Sequence, residues 1–240
     1  MYNAMSSNKY LLELCNITKK FPGVVALNNV DFGIKKQEIR GLVGENGAGK
    51  STLIKIISGI YKPDNGEIYF QKDKIRDLNP KKAIELGISL VPQTLDFFPH
   101  LTIAENLLIE DLPVNFGIIN KKELNERTKS YLSIFGLNLN VAEIMGNLNF
   151  TQQKLILIIK ALIMKSKILI LDEPTASLHK EEIDILFKYI RDFRKNGATI
   201  IYISHHLEEI FGICDTATIL KDGRVVSTDV VKNLNMDILT

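Results

Sequence analysis

The sequence lacks tryptophan, has only two cysteines and carries almost no net charge. Cys15 and Cys214 lie far apart and fit no metal-binding spacing, so we expect both to be buried thiols in a reducing compartment. The 30 basic and 28 acidic residues are mixed along the chain, without a concentrated basic stripe. This distribution does not indicate a nucleic-acid-binding surface, and we expect no nucleic acid among the partners.

Long apolar runs are also absent. The longest, residues 155–159 and 168–171, are far shorter than the roughly 20 residues that a membrane-spanning helix needs. Residues 1–9 are polar and have neither the hydrophobic region nor the cleavage site of an export signal. We therefore expect a soluble, cytosolic protein. Its 240 residues, 45% of them hydrophobic, are enough for one large domain or for a domain with a small appended lobe.

Short apolar runs bounded by turn residues predict the β-strands. These strands cover residues 11–17, 24–34, 39–43, 67–70, 88–91, 168–171, 199–203, 216–220 and 224–228. Helices are predicted from about residue 50 to 58, from 80 to 86 and from 180 to 194, and a mostly helical insert at 102–164. Because strands and helices alternate, the main sheet is predicted to be parallel. The first two strands, joined by the turn at 21–23, are predicted to form an antiparallel β-lobe.

Residues 44–52 match the phosphate-binding pattern G-x-x-x-x-G-K-[ST] in full, between a predicted strand and a predicted helix. The glycines let backbone N–H groups turn towards phosphates, Lys50 can reach the β- and γ-phosphates, and the Ser51 hydroxyl can join a Mg²⁺ shell. A lone glycine pair would more often be a plain connecting turn, but here Lys50 and Ser51 follow in register. The predicted nucleotide-binding residues are Gly44, Glu45, Asn46, Gly47, Ala48, Gly49, Lys50, Ser51 and Thr52.

Two carboxylates, Asp172 and Glu173, follow the apolar strand at 168–171. Successive strand side chains point to opposite faces, so Asp172 can bind Mg²⁺ while Glu173 is directed at a water that attacks the γ-phosphate. Acidic strand ends are common in proteins that have no such activity. The phosphate-binding loop in the same chain favours the functional interpretation.

Three further residues indicate a nucleotide site only when they are considered together. Gln93 follows the strand at 88–91 and can contact Mg²⁺ or the lytic water, and His205 follows the strand at 199–203, where it can meet the γ-phosphate. Phe21 could stack on a nucleobase. Taken singly, each has an ordinary explanation: a loop glutamine, a surface histidine and a core phenylalanine.

The whole set of motifs resembles the nucleotide-binding domain of ABC transporters over nearly the full chain. Besides the phosphate loop, the segments that carry the resemblance are Phe-Pro-Gly-Val-Val-Ala-Leu at 21–27, Ala-Glu-Asn at 104–106, Asp-Glu-Pro-Thr at 172–175 and Ile-Ser-His-His-Leu-Glu-Glu-Ile at 203–210. They are most similar to the ATPases of monosaccharide importers of the ribose, galactose and xylose type. The resemblance implies an α/β P-loop core with a mainly parallel sheet, an antiparallel β-lobe and a helical subdomain.

The same resemblance implies a single domain, with β-lobe and core at about 9–101 and 165–230 and the helical subdomain at about 102–164. It assigns the Q-loop to Gln93, the D-loop to 176–179 and the H-loop to His205. Glu173, His205 and Gln93 would be catalytic, and Ser51, Gln93 and Asp172 would hold the metal of a Mg²⁺·ATP complex. The signature segment, which contacts ATP bound to an opposite domain, would be Leu148, Asn149, Phe150, Thr151 and Gln152.

The signature segment departs from the family pattern Leu-Ser-Gly-Gly-Gln. Asn149 replaces the serine, and Thr151 replaces a glycine that permits close backbone approach. We therefore expect this segment, which forms one half of an ATP site shared with the opposite domain (a half-site), to contact the γ-phosphate weakly. His179 stands where many relatives carry aspartate, and Val-Pro precedes Gln93 where close relatives often have histidine. These departures are explained if the chain resembles the first half of a tandem importer ATPase. In that family, the signature of the first domain faces the phosphate loop of the second domain, which is itself commonly degenerate.

The leading hypothesis is therefore an ATPase whose closure with a second nucleotide-binding domain drives a membrane permease to import a sugar, with a sugar-binding protein as an indirect partner. It would lie on the cytoplasmic face of the membrane. One alternative is a regulatory nucleotide-binding half with little hydrolysis. A soluble ABC-type ATPase acting on ribosomes or DNA is less favoured, because 122 residues between Lys50 and Asp172 (172 minus 50) leave no room for a long insert. A plain P-loop kinase or GTPase would not need Gln93, Glu173 and His205 together.

Overall fold

The computed structural model describes residues 9–93, 96–163, 166–176 and 178–234. Its strands are β1 Leu12–Phe21, β2 Val24–Ile34, β3 Ile39–Val43, β4 Asn65–Phe70, β5 Asp73–Ile75, β6 Ile88–Val91, β7 Val114–Asn115, β8 Ile118–Ile119, β9 Ile168–Asp172, β10 Thr199–Ile203, β11 Thr216–Lys221 and β12 Arg224–Val230. Its α-helices are α1 Lys50–Ile57, α2 Pro80–Leu86, α3 Ile103–Leu108, α4 Lys121–Ile134, α5 Phe150–Ile163, α6 Lys180–Lys195 and α7 Leu207–Ile213. Short 3₁₀ turns occupy Met145–Asn147 and Val231–Asn233.

A six-stranded sheet in the order β12-β11-β3-β10-β9-β6 forms the centre of the fold. The pairs from β11 to β6 are parallel, as predicted from the alternation of strands and helices. β12 is antiparallel to β11, because only a tight turn joins these two strands. The parallel strand β3, which precedes the phosphate-binding pattern, lies in the middle of the sheet.

Both faces of the parallel strands are buried, which explains their continuous apolar runs. In β9, Ile168 and Ile170 pack into one core while Leu169 and Leu171 pack into another. The first core includes the β-lobe and α1, and the second includes α6 and α7. The strands that lead to the candidate site are thus held from two sides.

The β-lobe is a four-stranded antiparallel sheet in the order β2-β1-β4-β5. β1 is longer than the predicted strand and runs to Phe21, and β5 was not predicted, because its short segment is mostly exposed and carries no apolar alternation. Cys214 is buried as expected, but the expectation for Cys15 is wrong, since it is partly exposed. Cys15 follows the buried Leu14 along β1, so its side chain points away from the core.

The insert is mostly helical and has its own apolar core, to which α3, α4 and α5 contribute. It also contains a hairpin, β7–β8, that the helical prediction missed. The two residues of its turn, Phe116 and Gly117, both have positive φ, of 52° and 81°, as a type I′ turn requires. Helix α7 was also missed, because it lacks the capping asparagine, the proline and the terminal glycine that mark α2, which has the same length.

Among the described residues, no helix is both long enough and apolar enough to span a membrane. The expectation for the N-terminal segment concerns residues 1–9, of which residues 1–8 lie outside the described residues. The D-loop expectation at 176–179 likewise includes Ser177, which lies outside them.

Candidate nucleotide-binding site

Four parallel strands bring the predicted site residues to one edge of the sheet. β3 ends before Gly44, β9 ends at Asp172, β10 ends before Ser204 and His205, and β6 ends just before Gln93. Because neighbouring parallel strands end at the same edge, residues distant in sequence meet there. The structure therefore places the phosphate-binding pattern, the acidic pair, the glutamine and the histidine together.

The loop between β3 and α1 depends on glycine at two points of close approach. Gly49 precedes α1 with a φ of 105°, and a Cβ there would lie 2.6 Å from the Ala26 carbonyl oxygen. A Cβ on Gly44 would lie 2.2 Å from the Leu220 carbonyl oxygen. Since Gly49 has no side chain, the first turn of α1 has no side-chain acceptor at its N-cap, and its N–H groups face outwards with the positive end of the helix.

Lys50 begins α1 and is almost completely buried. Its Nζ donates hydrogen bonds to the carbonyl oxygens of Gly44, at 2.6 Å, and Glu45, at 2.9 Å. Burial lowers the pKa of Lys50, and the nearby carboxylates of Glu173 and Asp172 oppose that shift. The ammonium group therefore lies inside the loop, where its charge interacts with both carboxylates. Ser51, the next residue, is exposed.

Glu173 is held by the two polar residues that the sequence placed near it. Its Oε2 accepts a hydrogen bond of 2.7 Å from Gln93 Nε2, and its Oε1 lies 3.1 Å from His205 Nδ1. The Glu173 side chain is mostly buried, whereas the imidazole of His205 is half exposed. The three residues form one connected group at the edge of the sheet.

Asp172 is the last residue of β9 and is partly buried. Burial raises the pKa of its carboxyl group, and the charge of Glu173 raises it further, while Lys50 and Lys154 lower it. The carboxylates of Asp172 and Glu173 therefore repel each other, and the charges of the buried Lys50 and Lys154 partly offset this repulsion. A cation placed between the carboxylates and the loop would relieve that repulsion.

Phe21 lies apart from this group, at the end of β1 in the β-lobe. Its ring is 37% exposed and meets the ring of Tyr61 edge to face, with 5.4 Å between centroids. Lys19 Nζ lies over the ring, 5.6 Å from its centroid, and the residue remains partly exposed. The packing against Tyr61 also fits the alternative that Phe21 belongs to the core of the lobe.

The predicted signature segment forms the start of α5 and closes on itself. Asn149 Oδ1 accepts a 2.8 Å hydrogen bond from the Gln152 backbone N–H, and Gln152 Oε1 accepts a 3.1 Å bond from the Asn149 N–H. This reciprocal pair is a capping box, in which side chains satisfy the first N–H groups of a helix. Leu148 precedes it, and its carbonyl oxygen accepts a bond from Gln153 Nε2.

A carboxylate also lies at this helix start. Thr151 Oγ1 donates a 2.5 Å hydrogen bond to Glu182 Oε1, and Glu182 Oε2 accepts a 2.8 Å bond from the His179 N–H. The bond from Thr151, followed by the bond from the His179 backbone, lowers the pKa of Glu182. The start of α5 is thus already paired with a negative charge supplied by α6 of the same chain.

Sequence reasoning missed a buried polar group beneath the site. Glu209 accepts hydrogen bonds from Thr175 Oγ1, at 2.7 Å, and Tyr202 OH, at 2.8 Å. Lys154, on α5, is only 1% exposed and donates to the Glu173 carbonyl oxygen at 3.1 Å. The helical spacing from Lys154 to the buried Ile158 and Ala161 was the available signal, since it places the lysine on the inward face of α5.

A glycine-rich loop between a central parallel strand and a helix, next to an acidic pair on another strand of the same sheet, defines a P-loop nucleotide-binding protein. More specifically, the chain belongs to the ABC transporter family, whose family model matches residues 27–176. Its fold is similar to a dimeric ATP-binding cassette solved in a post-hydrolysis state with ADP and Pi. The TM-score is 0.77 and the identity 27%, over 93% of this chain and all of that one.

Two curated relatives indicate which kind of ABC transporter protein the chain is similar to in sequence. The galactose/methyl galactoside import ATP-binding protein MglA of Clostridium perfringens is 40% identical over 98% of this chain and 46% of its own length. The arabinose import ATP-binding protein AraG of Mannheimia succiniciproducens is 44% identical over 95% of this chain and 46% of its own length. The chain spans about half the length of these relatives.

Proposed function

We propose that the chain binds Mg²⁺·ATP and hydrolyses it as the nucleotide-binding domain of an ABC importer for a monosaccharide. The observation that supports this most is that the 44–52 loop and Glu173 follow strands ending at the same edge of the sheet, where Gln93 and His205 both contact the Glu173 carboxylate. The family membership and the names of the relatives support the transport role. Their sugars differ, so the proposal extends to monosaccharides as a class.

The loop binds the triphosphate. Backbone N–H groups of residues 44–52 and the positive end of α1 stabilise the phosphate charge. Lys50 contacts the β- and γ-phosphates by exchanging its bonds to the Gly44 and Glu45 carbonyl oxygens for bonds to phosphate. Phe21 supplies a stacking surface for the base from the β-lobe.

Glu173 acts as the general base that orients and deprotonates the attacking water. Two hydrogen bonds fix its carboxylate, so little reorganisation is needed when the water attacks the γ-phosphorus and the bond to the β-phosphate oxygen breaks. His205 is close enough to the same edge to donate to the γ-phosphate once ATP is present. Gln93 joins the carboxylate to the end of β6.

The donor set fits Mg²⁺. This ion prefers oxygen ligands and usually takes few from the protein, with phosphates and waters completing its shell. The Ser51 hydroxyl, the Gln93 amide oxygen and the Asp172 carboxylate would hold it, directly or through water. When bound, Mg²⁺ neutralises charge that develops on the phosphate oxygens.

A second nucleotide-binding domain completes the site. The related cassette was solved as a dimer, and the curated relatives are about twice as long as this chain. Because the start of α5 is capped by its own side chains and by Glu182, it offers little to a γ-phosphate in trans. The partner domain therefore supplies an intact signature to the ATP bound at Lys50.

Membrane permease subunits dock on the helical subdomain at the cytoplasmic face, and a sugar-binding protein delivers the solute on the other side. A groove of about 340 Å³ lies between α2, β6 and α5, next to the end of β6 that carries Gln93. Its lining is mostly apolar, which suits a short helix from a permease. We assign the subdomain to about residues 102–164, in agreement with its separate core, and the remainder to the β-lobe and the P-loop core.

Glu173→Gln tests the proposal. The variant keeps the size of the side chain but removes the base, so we expect unchanged Mg²⁺·ATP affinity and a fall in turnover of at least about 100-fold. ATP binding is measured by calorimetry, and turnover by phosphate release with a second nucleotide-binding domain that has an intact signature.

Glu181→Gln is the matched control, because Glu181 is exposed in the first turn of α6. It should hydrolyse ATP at the parental rate. Equal turnover in the parent and Glu173→Gln would refute the role of Glu173. A parent that binds ATP but shows no turnover with the partner would instead support a regulatory nucleotide-binding half.

A further inference from the structure

Lys154 is a buried lysine that the proposed roles leave unused. It lies one turn into α5 and is only 1% exposed. The residues that follow it on this helix are mostly apolar. Burying an ammonium group is unfavourable unless nearby groups compensate for the loss of water. Its position therefore calls for a specific set of contacts.

Those contacts connect the signature segment to Glu173. Lys154 Nζ donates to the main-chain carbonyl oxygen of Glu173 at 3.1 Å. The same Nζ lies 5.4 Å from the ring centroid of Phe150, the first residue of α5, within the range of a cation–π contact. Burial lowers the pKa of Lys154, while Asp172, Glu173 and Glu209 oppose that shift.

Glu173 needs such support because its backbone is strained. Its φ is 45°, in the left-handed region that residues with a side chain rarely adopt. Its N–H donates to the Ile203 carbonyl oxygen at 3.0 Å, which fixes one end of the residue to β10. The bond from Lys154 fixes the other end.

We propose that Lys154 is a positioning residue. It holds the main chain of Glu173 so that the Glu173 carboxylate meets Gln93 and His205, and it links Glu173 to the start of α5. Strained backbone at a functional position persists only when the surroundings determine it, and Lys154 is one of these determinants. The proposal rests on the proposed role of Glu173. Since Lys154 acts through that residue, its loss affects turnover and leaves ATP binding intact.

Lys154→Met tests this directly, because it keeps the apolar stem and removes the donor. We expect kcat to fall about 10- to 100-fold, as a misplaced catalytic group does, with KM and ATP affinity within about twofold of the parent. Lys154→Arg keeps a donor and should recover part of the loss. Lys188→Met, an exposed lysine on α6, is the control and should keep the parental rate.

An unchanged kcat in Lys154→Met would overturn the proposal, and so would a parallel fall in ATP affinity. Thermal melting establishes that each variant is folded. If Lys154→Met does not fold, Lys154→Gln replaces it, since this shorter polar side chain does not reach Glu173. The same fall in kcat is expected.

A crystal structure of the folded Lys154 variant separates this proposal from the proposed function. We expect the φ of Glu173 to leave the left-handed region, or its bonds to Gln93 and His205 to lengthen beyond 3.5 Å. Unchanged Glu173 geometry would overturn the positioning role even if the parent shows no ATPase activity. Loss of ATPase activity in the parent would overturn only the function.

Discussion

Two helix starts in this chain resemble ATP-contacting segments, and they are built in opposite ways. At α1, glycine stands at the N-cap and the first turn faces outwards beside Lys50. At α5, Asn149 and Gln152 cap each other, and Glu182 lies against Thr151. The first helix start has no side chain that caps its N–H groups, whereas at the second Asn149 occupies the Gln152 N–H and Glu182 supplies a negative charge.

This difference shows that the backbone framework alone does not make a phosphate site. Both helices begin after a loop in the same fold, and both carry the partial positive charge of a helix N-terminus. What separates them is whether side chains compete for the first N–H groups. Glycine leaves those groups available, and asparagine, glutamine and glutamate occupy or neutralise them.

The largest expected effect comes from adding a methyl group to the open helix start. Gly49→Ala places a Cβ 2.6 Å from the Ala26 carbonyl oxygen and strains a φ of 105°. The loop must shift, so we expect ATP affinity to fall about 10- to 100-fold, as measured by calorimetry.

Gly117→Ala is its control, because Gly117 has a φ of 81° with open space around the added Cβ and lies in the turn of the β7–β8 hairpin. This variant should lose about 1–2 kcal/mol of stability and keep the parental ATP affinity. If both variants bound ATP equally well, the close packing around Gly49 would not matter for the site.

An intermediate effect is expected from opening the closed helix start. Asn149→Ala combined with Thr151→Gly removes the capping side chain and the contact with Glu182. In a Glu173→Gln background, we expect ATP-dependent self-association to strengthen about tenfold, the effect of one added hydrogen bond to an anion.

Light scattering on a size-exclusion column measures this association. Thr151→Val removes the hydroxyl without opening the backbone and should self-associate like the parent. If the doubly substituted variant also remained monomeric with ATP, the capping of α5 would not be what limits this half-site.

The smallest effect concerns the charge of Glu182. Because hydrogen bonds lower its pKa in the folded chain, its stabilising contribution is present above the ordinary pKa of a glutamate and is lost as pH falls through the lowered value. Glu182→Gln should therefore be slightly less stable than the parent at pH 7, and this difference should vanish well below pH ~4.3. Urea unfolding across this range measures it, with Glu181→Gln as control. A difference that persists at low pH would contradict the assignment.

Much of the core could be predicted because its signals are local. The strand at 39–43, the helix at 80–86 and the strands at 88–91 and 199–203 match the structure at both ends, since apolar runs and turn residues delimit them. The motif residues also come together, because parallel strands bring their ends to one edge. Their roles in binding and hydrolysis stay predictions.

What escaped prediction depends on contacts between distant segments. Nothing adjacent to Lys154 reveals that Glu173 receives its hydrogen bond, 19 residues further on. Nothing adjacent to Thr151 reveals Glu182, since α5 and α6 meet only in the folded chain. The hairpin β7–β8 was missed because each of its strands has only two residues, too few for a periodic pattern.

The order of the six-stranded sheet gives the two sides of the site different resistance to local opening. β3 has a paired neighbour on each side, so amides in this strand should exchange with solvent only when much of the sheet unfolds. Among the residues that the structure describes, β6 is the last strand on its side and pairs only with β9. Gln93 therefore follows an edge strand, which can detach at a lower free energy than β3, the interior strand that precedes the phosphate loop.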